Sequence, residues 1–166
     1  PSSARNTGVR IAESQYVWFL DSDDKLLPSA ASHFSEAIAE NPDADMIFGS
    51  RITVLPSNRK RLTKAKPLSS SRIQNFEDEI LSNRPTVGIG AAIIKREFAL
   101  RHPFPEHFRI CEDLVFFSTA FLKGNCIAID PAIIEIDQTT HHNFRNPALL
   151  FTEHQLAYNH AVSQLS

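Results

Sequence analysis

Apolar and polar positions switch between helical and strand spacing along the chain, and the switches predict the elements. Ser2 or Ser3 caps a helix entered at Ala4, with Gly8, Ile11 and Ala12 on one face until the polar Glu13-Ser14-Gln15. Tyr16 to Leu20 is short, apolar and rich in aromatic and β-branched residues; it reads as a buried strand that stops abruptly at Asp21-Ser22-Asp23-Asp24. Pro28 suits the first turn of a helix whose buried stripe is Ala30, Ala31, Phe34, Ala37 and Ile38, and Asn41-Pro42 ends it before a strand over Met46 to Leu55. Helix then strand after a buried strand is the rhythm of an α/β sheet with crossover connections.

The second half follows the same logic. Pro56 to Pro67 reads as a surface loop or hairpin, and Ser70 or Ser71 caps a helix through Ile73, Phe76 and Ile80 to about Leu81. Val87 to Ile94 is a Gly-containing strand, followed by a short helix from about Arg96 to Arg101 and a Pro-rich loop over His102 to Ile110. Cys111-Glu112-Asp113 opens a helix with Leu114, Phe117 and Phe121 on one side, and Gly124 ends it. Cys126 to Ile136 makes one or two strands broken around Pro131. Asn146 or Pro147 opens a last helix with the stripe Leu150, Ala157, Tyr158, Ala161, Val162 and Leu165.

Composition narrows the class. A chain of 166 residues, 42% hydrophobic and 22% charged, fits one soluble globular domain and excludes a disordered tail. Its 17 basic and 19 acidic residues leave a net charge of −2, so nothing draws the whole molecule to nucleic acid or an anionic membrane, and any basic site is local. No apolar run approaches the roughly 20 residues that cross a bilayer. Without a signal-like start, and with only Cys111 and Cys126, a reducing, cytoplasmic setting is expected.

Three carboxylates within Asp21-Ser22-Asp23-Asp24 are costly to crowd at a strand end unless a cation offsets their repulsion. Hard oxygen ligands favour Mg²⁺ or Mn²⁺, commonly shared with substrate phosphates. The bland alternative is a solvated acidic turn in which Asp24 caps the following helix. Glu112-Asp113 is the second acidic pair, and a helix N-terminus stabilises such carboxylates whether or not they react. Five cations, Arg59, Lys60, Arg61, Lys64 and Lys66, fall within eight positions. They would concentrate an anionic acceptor or face the headgroup surface presenting it, unless they form a solvated loop.

Ala4-Arg5-Asn6-Thr7-Gly8, then Tyr16 to Asp24, then Pro28, resembles the inverting family 2 glycosyltransferases of GT-A fold, in which an ARN-x-G helix precedes a strand ending in a DxD-type motif. The resemblance runs over about the first 28 residues. It implies that Asp21 and Asp23 hold a divalent ion bridging the diphosphate of a nucleotide sugar, Asp23 being the more direct ligand. It further implies that Arg5 lies near the nucleotide and that Asn6 holds the loop around the donor. Glu112-Asp113 resembles the family's ED element, in which a carboxylate takes the proton from the attacking hydroxyl; Asp113 is favoured over Glu112 as that base. In the C-terminal region, His142 or His141 would complete the ion's ligands and Arg145 would bind phosphate. The remaining histidines read as structural and both cysteines as small core residues.

The chain starts at the ARN element, so the expected fold is a partial GT-A sheet flanked by helices, without the N-terminal βα units that recognise base and ribose. Residues 1–55 would form the metal and donor side, 56–85 the basic loop and helix, 86–145 the acceptor side and 146–166 the C-terminal helix. The expected function is metal-dependent transfer of a sugar, with inversion, from a nucleotide diphosphate sugar to a glycan or lipid-linked hydroxyl, impaired in this chain alone. Uncovered sheet edges would invite self-association, and the acceptor would allow peripheral contact with the inner face of the membrane. The alternatives are a non-catalytic remnant that binds a glycan or protein, and a metal-dependent phosphohydrolase or nucleotidyltransferase, whose further motifs are not evident.

Overall fold

The structure, a computed structural model, describes residues 1–82, 85–108, 110–139 and 147–165. Its elements are α1 (Ser2–Ile11), β1 (Tyr16–Trp18), β2 (Lys25–Leu26), α2 (Ala30–Glu40), β3 (Met46–Val54), β4 (Lys60–Thr63), α3 (Arg72–Phe76), β5 (Ala92–Lys95), α4 (Arg96–Arg101), α5 (Glu112–Lys123), β6 (Cys126–Asp137) and α6 (Pro147–Ser163). A π-turn over Glu77–Leu81 prolongs α3, and a 3₁₀ turn over Ile89–Ala91 leads into β5.

Alternation along β3 builds the core. Met46 and Phe48 face one apolar cluster with Val9, Phe98, Phe116 and Phe121, while Ile47 faces another with Ala30, Phe34, Ala37 and Ile133. That period of two places α2 on one face of the sheet and α1, α4 and α5 on the other. Strands run in the order β1-β5-β3-β6-β2, with β4 also paired to β3. One edge of β3 is lined by β6, so β5 and β4 share the other, at Met46 to Phe48 and Arg51 to Val54 respectively.

The expected helix-flanked α/β sheet is present, but its pairing is mixed. Only β3 and β6 are parallel among the described strands; the other pairs are antiparallel. The turn from Leu55 to Arg59 is too short for a crossover, and Asn58 adopts φ 58° within it, so β3 and β4 form a hairpin. The α3 to α5 region supplies the long connection that a parallel β3–β6 pair needs.

Several sequence expectations are corrected. The buried face of α1 is Ser2, Asn6 and Val9, while Ile11 is 76% exposed. Tertiary hydrogen bonds let polar side chains carry that face: Ser2 Oγ donates to the Pro105 carbonyl at 2.8 Å, and neither serine side chain caps the helix. β1 is a half-buried edge strand, ending at Trp18, and the two-residue β2 follows the acidic turn before α2 begins. Ala31 is exposed on α2. Only the last part of the strand expected over Val87 to Ile94 joins the sheet. β6 is one continuous strand, because two bulged register shifts opposite Gly49 to Arg51 absorb Pro131. A Cβ on Gly49 would lie 2.4 Å from Ile133 Cγ1. Ser50 Oγ donates to the Asp130 carbonyl at 2.7 Å and accepts from Ala65 N–H, which satisfies the bulge.

Candidate active site

The acidic turn after β1 and the start of α5 are joined by a single side chain. Arg5 Nη1 donates to Glu112 Oε1 at 2.6 Å, and Arg5 Nη2 lies 3.8 Å from Asp21 Oδ1. Arg5 and Glu112 are 12% and 8% exposed, whereas Asp21 is 56% exposed, so the link to α5 is the stronger. The guanidinium also sits 5.5 Å from the centroid of the Phe104 ring, which stacks on Phe116 of α5. The sequence thus brings residues 107 positions apart into one site.

Asn6, one residue on, is expected to hold the loop around the donor; in the structure it binds the segment Phe104 to Glu106. Its Nδ2 donates to the Phe104 carbonyl at 2.9 Å and to Glu106 Oε1 at 3.0 Å, while its Oδ1 accepts from Phe104 N–H. Buried backbone groups of a Pro-rich segment need such partners. At the acidic turn, Asp24 N–H donates to the Asp21 carbonyl at 3.1 Å, and Trp18 Nε1 donates to the Gly90 carbonyl at 2.8 Å. Gly90 allows close approach there, since a Cβ would lie 3.2 Å from Asp24 Oδ2 and 2.4 Å from Ile134 Cδ1.

Among the described residues, no group of three or more His, Cys, Asp or Glu side chains converges to hold a metal. His141, His142 and Arg145 lie outside the described residues. Of the other histidines, His102 packs on Phe98, and burial lowers its pKa; His107 and His160 flank Phe108. Cys126 donates to the Ala120 carbonyl and burial pushes its thiol up to about 12, as befits a core residue. Cys111 instead takes a left-handed φ of 62° immediately before Glu112.

Asp113 lines a cavity of about 200 Å³ with Ile80, Pro85, Val87, Cys111 and Phe117. Desolvation raises its pKa, and the neighbouring Glu112 charge raises it further; the Leu114 N–H and Arg5 act the other way. A carboxylate so placed is a better proton acceptor than a solvated one. Glu112, by contrast, is committed to Arg5.

A second buried node was not legible in the sequence. Glu79, wholly buried, accepts from Thr86 N–H at 2.7 Å, Thr86 Oγ1 at 2.7 Å and Val87 N–H at 3.0 Å, with Lys66 Nζ 3.8 Å away. Arg51 binds the same segment from its other side, donating to the Val87 carbonyl at 2.7 Å and the Pro85 carbonyl at 3.0 Å. The available signals were a carboxylate at helical spacing from Phe76, and an arginine inside an apolar strand.

A family model described as "Glycosyl transferase family 2" matches residues 1–100. The poly(ribitol-phosphate) beta-glucosyltransferase of Bacillus spizizenii is 24% identical over 132 residues, which are 78% of this chain and 20% of that protein. The crystal structure of S. aureus TarS 1-349 superposes with a TM-score of 0.65 at 21% identity, over 96% of this chain and 44% of TarS 1-349. Its complex with UDP-GlcNAc gives 0.66 at 20% identity, over 96% and 46%. The chain therefore spans a fifth of the length of that curated relative and less than half of those solved chains, and shares their fold.

Proposed function

The chain belongs to glycosyl transferase family 2, and we propose that it transfers a sugar, with inversion, from a nucleotide diphosphate sugar to a hydroxyl of a glycan or lipid-linked acceptor. The observation that carries this reading is Arg5, which ties the acidic strand end to the carboxylates opening α5. In the proposed reaction the acceptor oxygen attacks the anomeric carbon as its proton passes to Asp113. The bond from that carbon to the diphosphate oxygen breaks, and its electron pair leaves with the nucleoside diphosphate. Asp113 suits the base because it is desolvated, and Glu112 with Arg5 keeps it oriented at the helix start.

Asp21 and Asp23, joined by His142 in the same proposal, would hold Mg²⁺ or Mn²⁺, which supplies positive charge to the leaving diphosphate. Arg5, Asn6 and Arg145 belong to the donor side of this reading. Residues 1–55 then serve the donor, 86–145 the acceptor. No helix among the described residues is long and apolar enough to cross a membrane; a cytoplasmic setting with peripheral membrane contact remains part of the proposal. The UDP-GlcNAc complex of TarS supports a nucleotide sugar as the donor class.

Calorimetric titration with UDP, with and without Mn²⁺, tests the reading. Coupled binding of the two, lost in Asp23→Ala, is expected; an identical response in Asp23→Ala would defeat the donor-site assignment.

A further inference from the structure

The basic run of the β3–β4 hairpin does not form a uniform charged loop. Lys60 turns away to pair with Glu135 at 2.5 Å, while Arg61, Lys64 and Lys66 line a cavity of about 620 Å³ with Arg51, Pro85 and Thr86. Among the described residues, four cations and no carboxylate line that space. Lys64 reaches Asp130 at 3.4 Å, across an exposed pair worth little, and Lys66 Nζ donates to the Asp78 carbonyl at 2.9 Å. The guanidinium of Arg51 is held against the Pro85 and Val87 carbonyls, so it stays in place whether or not a ligand is bound.

The position of this cavity gives it a role. Pro85 lines both it and the smaller cavity that contains Asp113. The charges of Glu79, Arg61 and Asp113 all act on Arg51, so the basic wall and the carboxylate lie within electrostatic reach of one guanidinium. An acceptor whose hydroxyl reaches Asp113 therefore lies beside the basic wall, across the border that Pro85 forms.

We infer that the cavity walled by Arg51, Arg61, Lys64 and Lys66 is an anion subsite for the acceptor, which binds a phosphate or phosphodiester group next to the hydroxyl that reacts. The inference rests on the glycosyltransferase reading and deepens it by naming the acceptor's chemical class. Phosphate suits the site because several fixed and mobile cations can share its oxygens, with Arg51 preorganised and Arg61 free to adapt. Thr63 adds a hydroxyl to the same wall. The phosphate could be carried by a soluble acceptor or by an anionic lipid surface, and the two sources are separable.

The experiment is an NMR titration of the 166-residue chain with glycerol 3-phosphate, with UDP plus Mn²⁺, and with vesicles containing phosphatidylglycerol. Glycerol 3-phosphate should shift the amides of Arg61, Lys64, Lys66 and Thr86, with an affinity that falls with added salt. The double variant R61Q/K64Q, whose exposed side chains leave the Arg51 and Glu79 contacts intact, should weaken that binding at least about tenfold and leave the UDP response unchanged. Shifts confined to Arg5 and the Asp21 turn, equal binding by the double variant, or binding to vesicles alone would each overturn the subsite. Loss of the UDP response with phosphate binding retained would instead sink the glycosyltransferase reading.

Discussion

Two carboxylates in one region of the fold, Glu79 wholly buried and Asp113 partly so, are treated in opposite ways. Glu79 has three hydrogen-bond donors on its two oxygens and Lys66 nearby. Asp113 accepts from the adjacent Leu114 N–H and sits beside the like charge of Glu112. The first arrangement fixes a loop; in the second, burial and a like charge raise the carboxyl pKa. Burial alone therefore does not mark a chemical residue. The balance of donors and neighbouring charge separates a carboxylate that holds structure from one poised to take a proton.

The sharpest test of the contrast is Asp113→Asn. Transfer should fall by about 10³-fold, within the range of general-base catalysis, with donor binding nearly unchanged. The same variant should raise the melting temperature. An acid whose folded pKa is raised contributes stability that is present at low pH and lost as pH rises through that pKa, so at neutral pH the amide removes a cost. A variant that is inactive and less stable would place Asp113 with Glu79 as a structural carboxylate.

Glu79→Ala should give the converse. Loss of the acceptor leaves Thr86 and Val87 N–H groups unsatisfied and buried, at a cost of about 3 kcal/mol. A lower urea midpoint at constant m-value checks it, and a shift of under a tenth of that size would show that water replaces Glu79.

Smaller again is Gly88→Ala, whose Cβ would lie 2.5 Å from Arg51 Nη1. The guanidinium must move off the Val87 carbonyl, so stability should drop by about 1 kcal/mol. Phosphate binding at the basic cavity should weaken with it; unaltered phosphate affinity would remove Arg51 from that wall.

The finest test is the pH dependence of transfer. The acid limb should lie above the ordinary carboxyl range, because burial and Glu112 raise Asp113. Glu112→Gln removes one of the raising causes and frees Arg5, which lowers it. The limb should therefore move to lower pH, and an unmoved limb would assign it to another group.

The local elements were readable because their causes are local. Ser71 caps α3 by accepting from Gln74 N–H at 3.2 Å, Gly124 stops α5, and the acidic turn follows β1 as its composition dictates. Hydrophobic period also identified β3 as a core strand. It failed on α1, where two of the three buried residues, Ser2 and Asn6, are polar, and on the run from Val87, where the chain turns through a 3₁₀ segment before pairing.

Thus the sequence by itself determined the strand that leads into the turn of Asp21 to Asp24, the helix opening at Glu112-Asp113 and the crowding of charge in both, since neighbours along the chain are enough to specify a cap, a turn or an abrupt change of polarity. Only the tertiary structure decided that Arg5 meets Glu112, that Arg51 and Glu79 grip one loop from opposite sides, and that Asp113 is desolvated beside a like charge. Desolvation and partner geometry depend on which segments pack together, and Arg5 with Glu112 and Arg51 with Val87 are separated by 107 and 36 positions in the chain.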